Sequence, residues 1–129
     1  MLGKYSAATM IPARDLAPTA RWYADVLGLT KVSEDPSSVV FRTGSSQVDV
    51  YQTSAGKADH TLIGWSVDDI DAVVDGLSAR GVMFEQYDMP GLRTNSRGVA
   101  EMGEERAAWF KDPEGNILSI WQLGTRAGQ

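Results

Sequence analysis

The chain repeats itself, and the repeat constrains its fold more than any other feature. Ile11-Pro12-Ala13-Arg14-Asp15-Leu16 resembles Trp65-Ser66-Val67-Asp68-Asp69-Ile70, and each is followed by an amphipathic segment ending at a glycine, Gly28 or Gly81. Further on, Phe41-Arg42 matches Phe110-Lys111, and Val48-Asp49-Val50-Tyr51-Gln52 matches Leu118-Ser119-Ile120-Trp121-Gln122. The spacing between matched residues grows from 54 (Asp15 to Asp69) to 69 (Phe41 to Phe110), so the second half carries an insertion of about 15 residues between its helix and its last strands. Two copies with so long a period form a duplicated module, not a solenoid.

Each module reads as a strand, a helix and further strands. Residues 5–12 form a strand closed by Pro12, which suits a strand end or a sheet edge. Asp15 can cap a helix whose Leu16, Ala20, Tyr23 and Leu27 make one apolar face, with Gly28 as its stop. Residues 30–34 and 38–43 are strands around Asp35-Pro36-Ser37-Ser38, a turn sequence. In 46–53, Val48 and Val50 alternate with Gln47, Asp49 and Tyr51. Module one thus covers 5–53 and a polar linker 54–59. Module two covers 60–123: a strand at 60–67, a helix capped by Asp69 with Ile70, Val73, Val74 and Leu77 inward, and a strand at 82–87. A loop at 88–97 and a hairpin of 98–102 with 105–111 around Gly103 come next. The turn Asp112-Pro113-Glu114-Gly115 leads into a last strand at 116–122. Arg126 to Gln129 are a loose tail. The fold class is α+β: one domain over 1–129, with two tandem βαβββ modules in a cup-shaped mixed sheet and helices on its outer face.

Composition removes whole classes of chemistry. The 129 residues suit one domain. Hydrophobic residues make up 43% and charged residues 22%, a globular balance. With no cysteine there are no disulfides, thiolate nucleophiles or cysteine-bound metals. With one histidine, His60, no multi-histidine metal site can form within one chain, and a Ser-His-Asp scheme must use His60 or nothing. The net charge of −5 argues against a nucleic-acid partner. No apolar run reaches the roughly 18 residues of a membrane span, and no signal-peptide pattern opens the chain, so a cytoplasmic protein without a membrane partner is expected.

A duplicated module of this size resembles the vicinal oxygen chelate superfamily, which includes glyoxalase I, extradiol dioxygenases and bleomycin-resistance proteins. The likeness runs over about residues 5–123. It is carried by Arg14-Asp15-Leu16, by Trp22-Tyr23-Ala24-Asp25-Val26-Leu27-Gly28-Leu29 and by Trp109-Phe110-Lys111-Asp112-Pro113-Glu114-Gly115-Asn116-Ile117-Leu118. These motifs identify a scaffold; function has to come from the site. The resemblance implies metal ligands on the cup-facing side of the first and last strand of each module. The four positions fall on Ala8, Asp49, Leu62 and Ser119, where histidine, glutamate, histidine and glutamate would be expected. No metal and no cofactor is therefore expected, because one carboxylate cannot hold a catalytic divalent ion.

The candidate catalytic residues are Asp49 and His60. His60 lies two residues before Leu62, so strand alternation puts it on the same face. It is either a displaced ligand or general base working with Asp49 or Asp59, or a polar residue at the strand's start near solvent. Asp49, on a mostly apolar face, needs a partner or a ligand; Arg106 or Arg42 could be that partner. Candidate ligand-binding residues are Met10, Gln47, Tyr51, Leu62, Ser119 and Trp121. Tyr51 and Trp121 occupy matching strands and would form two aromatic walls. Trp65 should lie on the face opposite Leu62 and Gly64. Small side chains at Ser6, Ala8, Gly64, Ser66 and Ser119 should leave volume where relatives place a metal. In the inserted loop, Arg93 and Arg97 either meet a ligand carboxylate or are solvated.

The leading function is a metal-independent binding protein that holds a small apolar or aromatic molecule in the cup. The alternatives are an enzyme of the same family (lyase, isomerase or dioxygenase type) acting on a small carbonyl compound with Asp49 or His60 as base or ligand, and a protein that keeps a metal with help from a partner chain. The resemblance further implies a homodimer, consistent with the exposed edges of two sheets.

Overall fold

The structure, a computed structural model, describes residues 1–123; the expected tail at 126–129 lies outside them. The elements are a short 3-10 turn at Leu2–Lys4, β1 (Thr9–Ala13), α1 (Leu16–Asp25), β2 (Thr30–Asp35), β3 (Ser38–Thr43) and β4 (Ser46–Gln52) in the first half. The second half has β5 (Thr61–Ser66), α2 (Ile70–Ala79), β6 (Asp88–Met89), β7 (Leu92–Arg93), β8 (Val99–Met102), β9 (Glu105–Lys111) and β10 (Ile117–Leu123). Two four-stranded mixed sheets result, in the orders β1-β4-β3-β2 and β5-β10-β9-β8, beside a small β6-β7 ribbon. The α+β class and the duplicated βαβββ plan hold: in each half the first strand pairs in parallel with the last, and the remaining pairs of the four-stranded sheet are antiparallel.

The chain divides into two compact units. The first is Met1–Ala58 with Pro113–Gly115; the second is Asp59–Asp112 with the residues from Asn116 onward. In the first unit, Ile11, Ala13, Phe41, Val48 and Val50 are buried, as are Leu16, Ala20 and Tyr23 of α1. The Tyr23 ring meets Phe41 at 6.3 Å between centroids. Pro12 sits in β1 at the sheet's edge, where its missing N–H costs no ladder bond. In the second unit, Ile70 and Val74 of α2 are buried, as are Val99, Ala108, Phe110, Leu118 and Ile120 of its strands. Gly28 and Gly81 follow the two helices at φ values of 76° and 94°, left-handed conformations that suit glycine at a helix end.

The inserted segment departs from expectation. The strand expected at 82–87 reduces to one bridge, Phe84 to Phe110, with Glu85 N–H donating to the Trp109 carbonyl at 2.8 Å. The cause is competition for one edge: β8 already pairs with residues 105–108 of β9, leaving room for little more than a single residue beyond it. The loop expected at 88–97 contains the β6-β7 ribbon, closed by Pro90-Gly91. The first strand is also shorter than the expected 5–12 and begins at Thr9.

Helix starts follow the repeat. Gln52 Oε1 accepts from the Leu16 N–H at 3.3 Å, and Gln122 Oε1 accepts from the Ile70 N–H at 2.8 Å. The last strand of each module therefore satisfies an orphan donor at its own helix's start. Asp69 caps α2 as expected, accepting from the Ala72 N–H at 3.2 Å. Asp15, at the N-cap of α1, makes no such bond. Glu114 takes that part in the first unit, accepting from Arg14 N–H at 2.8 Å, Asp15 N–H at 3.0 Å and the Thr19 hydroxyl at 3.2 Å.

Burial works to raise the Glu114 pKa, but the Arg14 and Asp15 N–H groups, the Thr19 hydroxyl and the Arg14 guanidinium outweigh it and hold the carboxyl below its ordinary value. A carboxyl depressed on folding contributes stability that is present above its unfolded value, about 4.3, and is lost as the pH falls through the lower folded value. Urea titrations across that range should therefore show Glu114→Gln losing less stability on acidification than the native chain. Equal acid limbs would remove Glu114 from the account.

Candidate functional site

Strand alternation gives each sheet one helix-covered face and one other face, and the candidate residues gather on the latter. In the first unit, buried Val48 and Val50 alternate with half-buried Asp49 and Tyr51 and exposed Gln47. Met10 stands opposite Asp49 in the β1–β4 register, and Pro12 opposite Tyr51. Met10 is 51% exposed, unusually open for so apolar a side chain. Met10, Gln47, Asp49 and Tyr51 thus share one surface. Asp49 Oδ1 accepts from Gln47 Nε2 at 3.1 Å. Arg106, one of the two partners considered for Asp49, makes two bonds of 3.0 Å to both carboxylate oxygens of Asp71 on α2. That fork holds the Asp71 carboxyl below its ordinary pKa and raises that of Arg106.

In the second unit, Ser119 and Trp121 alternate with buried Leu118 and Ile120. Ser119 pairs with Gly64 of β5 and with Trp109 of β9, so these three positions share a face. Trp65 pairs with Ile120 on the opposite face, as expected. The Trp109 ring meets Tyr87 edge-on at 5.6 Å. Burial is the larger cause, and the Glu85 charge the smaller, that raises the Tyr87 pKa, so the phenol is neutral at ordinary pH. The space expected above Gly64 and Ser119 is filled. A Cβ built at Gly64 would lie 2.5 Å from Ser119 Oγ and 2.6 Å from Trp121 Cζ3, so the Trp121 ring rests directly over the glycine.

His60 is not in the strand. β5 starts at Thr61, and its register with β10 shifts between Ile117 and Leu118, so Thr61 and Ile63 face consecutive partners. A bulge there breaks the period-two argument that ran from Leu62 back to His60. His60 occupies an exposed bend. Both loop arginines have acid partners: Arg93 meets Asp88 at 3.1 Å, and Arg97 meets Asp75 and Asp71 on α2. Each is at least 42% exposed, so these pairs are weak anchors.

The four metal positions implied by the family do not fit a divalent ion. Ala8 and Leu62 offer no donor, Ser119 offers a neutral hydroxyl beside the Trp121 ring, and Asp49 offers one carboxylate already bonded to Gln47. Among the described residues, no three histidine, aspartate or glutamate side chains gather as a metal site. No helix among them is long and apolar enough to cross a membrane.

The sequence reading missed Glu114, Gln52, Gln122, Tyr87 and Trp109 as organising residues. The paired glutamines were visible in the repeat, at matching ends of matching strands. Trp109 needed the β9–β10 register, and Tyr87 needed the path of the insertion.

A family model described as the Glyoxalase/Bleomycin resistance protein/Dioxygenase superfamily matches residues 6–120. Among solved structures, the chain is similar to a glyoxalase/bleomycin resistance protein/dioxygenase from Alicyclobacillus acidocaldarius at 17% identity and a TM-score of 0.69, covering 92% of this chain and 91% of that one. It is also similar to a lactoylglutathione lyase from Agrobacterium tumefaciens at 20% identity and a TM-score of 0.66, covering 92% of each. A third is the oxidase ChaP-H1, at 21% identity and a TM-score of 0.68, covering 95% of this chain and 98% of that one. Identities this low speak to the shared fold alone.

Proposed function

Because this chain belongs to the glyoxalase/bleomycin resistance protein/dioxygenase superfamily and lacks its usual metal ligands, we propose that it is a metal-independent binding protein for a small apolar or aromatic molecule. The ligand is held on the face that a sheet leaves free of helix. The observation that carries this reading is the donor set: Ala8, Asp49, Leu62 and Ser119 stand where metal-using members need four ligands. Met10 and Tyr51 stand beside Asp49 in one unit, and Trp109 and Trp121 stand beside Ser119 in the other. Burial of apolar ligand surface then supplies the affinity, with Gln47 and Asp49 as the polar anchors available in the first unit and Ser119 as the one in the second.

Titrating a library of small aromatic and aliphatic compounds against tryptophan fluorescence, in the presence of a chelator, tests the reading. At least one compound should bind saturably, and Trp121→Ala should weaken it by about tenfold or more, the scale of one lost aromatic contact plus its buried area. Absence of any binder, or a binder indifferent to Trp121→Ala, would count against it.

A second reading draws on Asp49 itself. Its half-burial, and an Oδ2 with no bond among the described residues, suit a general base that takes a proton from a small carbonyl compound. His60, exposed in its bend, is the other candidate base. Turnover that disappears in Asp49→Ala or His60→Ala while binding persists would favour this reading over simple sequestration.

A further inference from the structure

A carboxylate is costly to withdraw from water unless an opposite charge or enough donors answer it. Asp49 is half-buried, and its surroundings answer it only in part. The residues directly across from it on the two neighbouring strands are apolar, Met10 on β1 and Val40 on β3, and directly opposed residues share a face. Two residues away along β4, on that same face, stand Gln47 and Tyr51. Gln47 Nε2 donates to Oδ1 at 3.1 Å and so occupies one oxygen. The other, Oδ2, has no bond among the described residues, and it is not enclosed either. The one buried side-chain polar atom among those residues that lacks a partner is Arg106 Nε, so Oδ2 opens at the surface of the face. A cation of the same unit lies one step along. Arg42 stands opposite Gln47 in the β3–β4 register, exposed, and its guanidinium makes no ion pair or hydrogen bond with Asp49 or with any other described residue.

We propose that the open face of the first unit takes a ligand bearing a protonated amine: the ammonium donates to Asp49 Oδ2, and an apolar or aromatic body lies on Met10 and Val40 beside Tyr51. A neutral donor such as an alcohol could make the same hydrogen bond. Only a cation also neutralises a carboxylate that is partly withdrawn from water, and hydrogen bonds to ionised partners are the stronger ones. Met10, 51% exposed, is the apolar surface that the ligand's body would cover. The net charge of −5 favours the approach of a cation. The inference rests on the binding reading above, for the face that carries Asp49, and narrows its ligand from apolar or aromatic molecules generally to basic ones.

The test uses two probes on one skeleton, phenethylamine and phenethyl alcohol, titrated calorimetrically into the full chain at neutral pH. Both can donate to Oδ2, so their difference reads the charge. The native protein should prefer the amine by about tenfold, the gap between a hydrogen bond to a charged group and a neutral one. Added salt should narrow that preference. Asp49→Asn keeps the shape of the side chain and an oxygen for Gln47, so the variant should keep its fold and its affinity for the alcohol while the preference falls close to unity. Arg42→Ala should leave the preference in place or raise it. If both probes bind the native chain equally, if Asp49→Asn keeps the preference, or if a preference emerges only in Arg42→Ala, the amine assignment is overturned while the binding reading stands. If neither probe binds, the amine assignment falls, and the compound library titrated against tryptophan fluorescence decides the binding reading on its own.

Discussion

Alanine in place of Phe110 should lower the stability of the fold by about 3–5 kcal/mol, and alanine in place of Phe41 should do the same. Both rings are 1% exposed, and they occupy the same place in the two copies of the module. Each is a strand residue beneath its own helix, and each meets another aromatic ring: Tyr23 for Phe41 at 6.3 Å, and Phe84 for Phe110 at 5.4 Å. Removing either loses its burial and leaves a cavity that strands on both sides keep from closing. A domain's whole stability is about 5–15 kcal/mol, so each change removes a large share. Urea unfolding measures the loss directly. Phe110→Ala should have one further consequence, because Phe84 anchors the inserted segment through that same ring and through its bridge. Amide exchange over residues 83–87 should accelerate in Phe110→Ala and stay unchanged in Phe41→Ala. A loss below about 1 kcal/mol in either variant would mean the repeat does not mark equivalent cores.

Leucine in place of Asn116 should cost about 1.5–3 kcal/mol, the range for a buried hydrogen bond to a charged group. Asn116 is fully buried, and Asp112 beside it nearly so. The Asn116 amide donates to Asp112 Oδ2 at 2.9 Å, its backbone N–H donates to Oδ1 at 2.9 Å, and Asp112 N–H returns a bond to the Asn116 carbonyl at 3.0 Å. Leucine is close enough in volume that packing changes little, but the carboxylate loses a donor it cannot replace from solvent. Asn116→Asp should be harmful as well, through repulsion between two buried carboxylates. If Asn116→Leu proved as stable as the native chain in urea, Asp112 would be satisfied without its neighbour.

The strength of the Asp112–Asn116 pair explains why the fold was so legible. Asp112-Pro113-Glu114-Gly115-Asn116 reads as a turn because of its proline and glycine, and its two polar ends lock it from within. The alternations of β4 and β10 and the apolar stripes of both helices also followed from local periodicity, because each element buries one face in its own unit. Legibility ended where partners are distant in sequence. Asp15 has the right chemistry for a cap, yet Glu114, a hundred residues on, satisfies that helix start. Nothing local to either residue signals the exchange. His60 failed for a different reason: a bulge one residue into β5 cancels alternation, and bulges have no dependable sequence mark. The region 82–87 has a strand's composition, but β8 holds most of the edge it would have used.

The site was half visible. Met10, Gln47, Asp49 and Tyr51 share a surface because two adjacent strands alternate in phase, which the sequence permits one to count. Ser119 and Trp121 do likewise in the second unit. What could not be counted is the direction a large side chain leans. Small residues at 64 and 119 suggested vacant volume, whereas the Trp121 ring occupies it. A vacancy inferred from small residues holds only until the nearest flexible aromatic is placed.

On the proposed reading, the chain keeps its family's scaffold while Ala8, Asp49, Leu62 and Ser119 hold no metal ion. Elemental analysis of the full chain, purified without added metal and then dialysed against each common divalent ion, tests it most directly. Far less than one bound ion per chain is expected in every case, with the same content in Asp49→Ala. One divalent ion per chain, lost in Asp49→Ala, would contradict it.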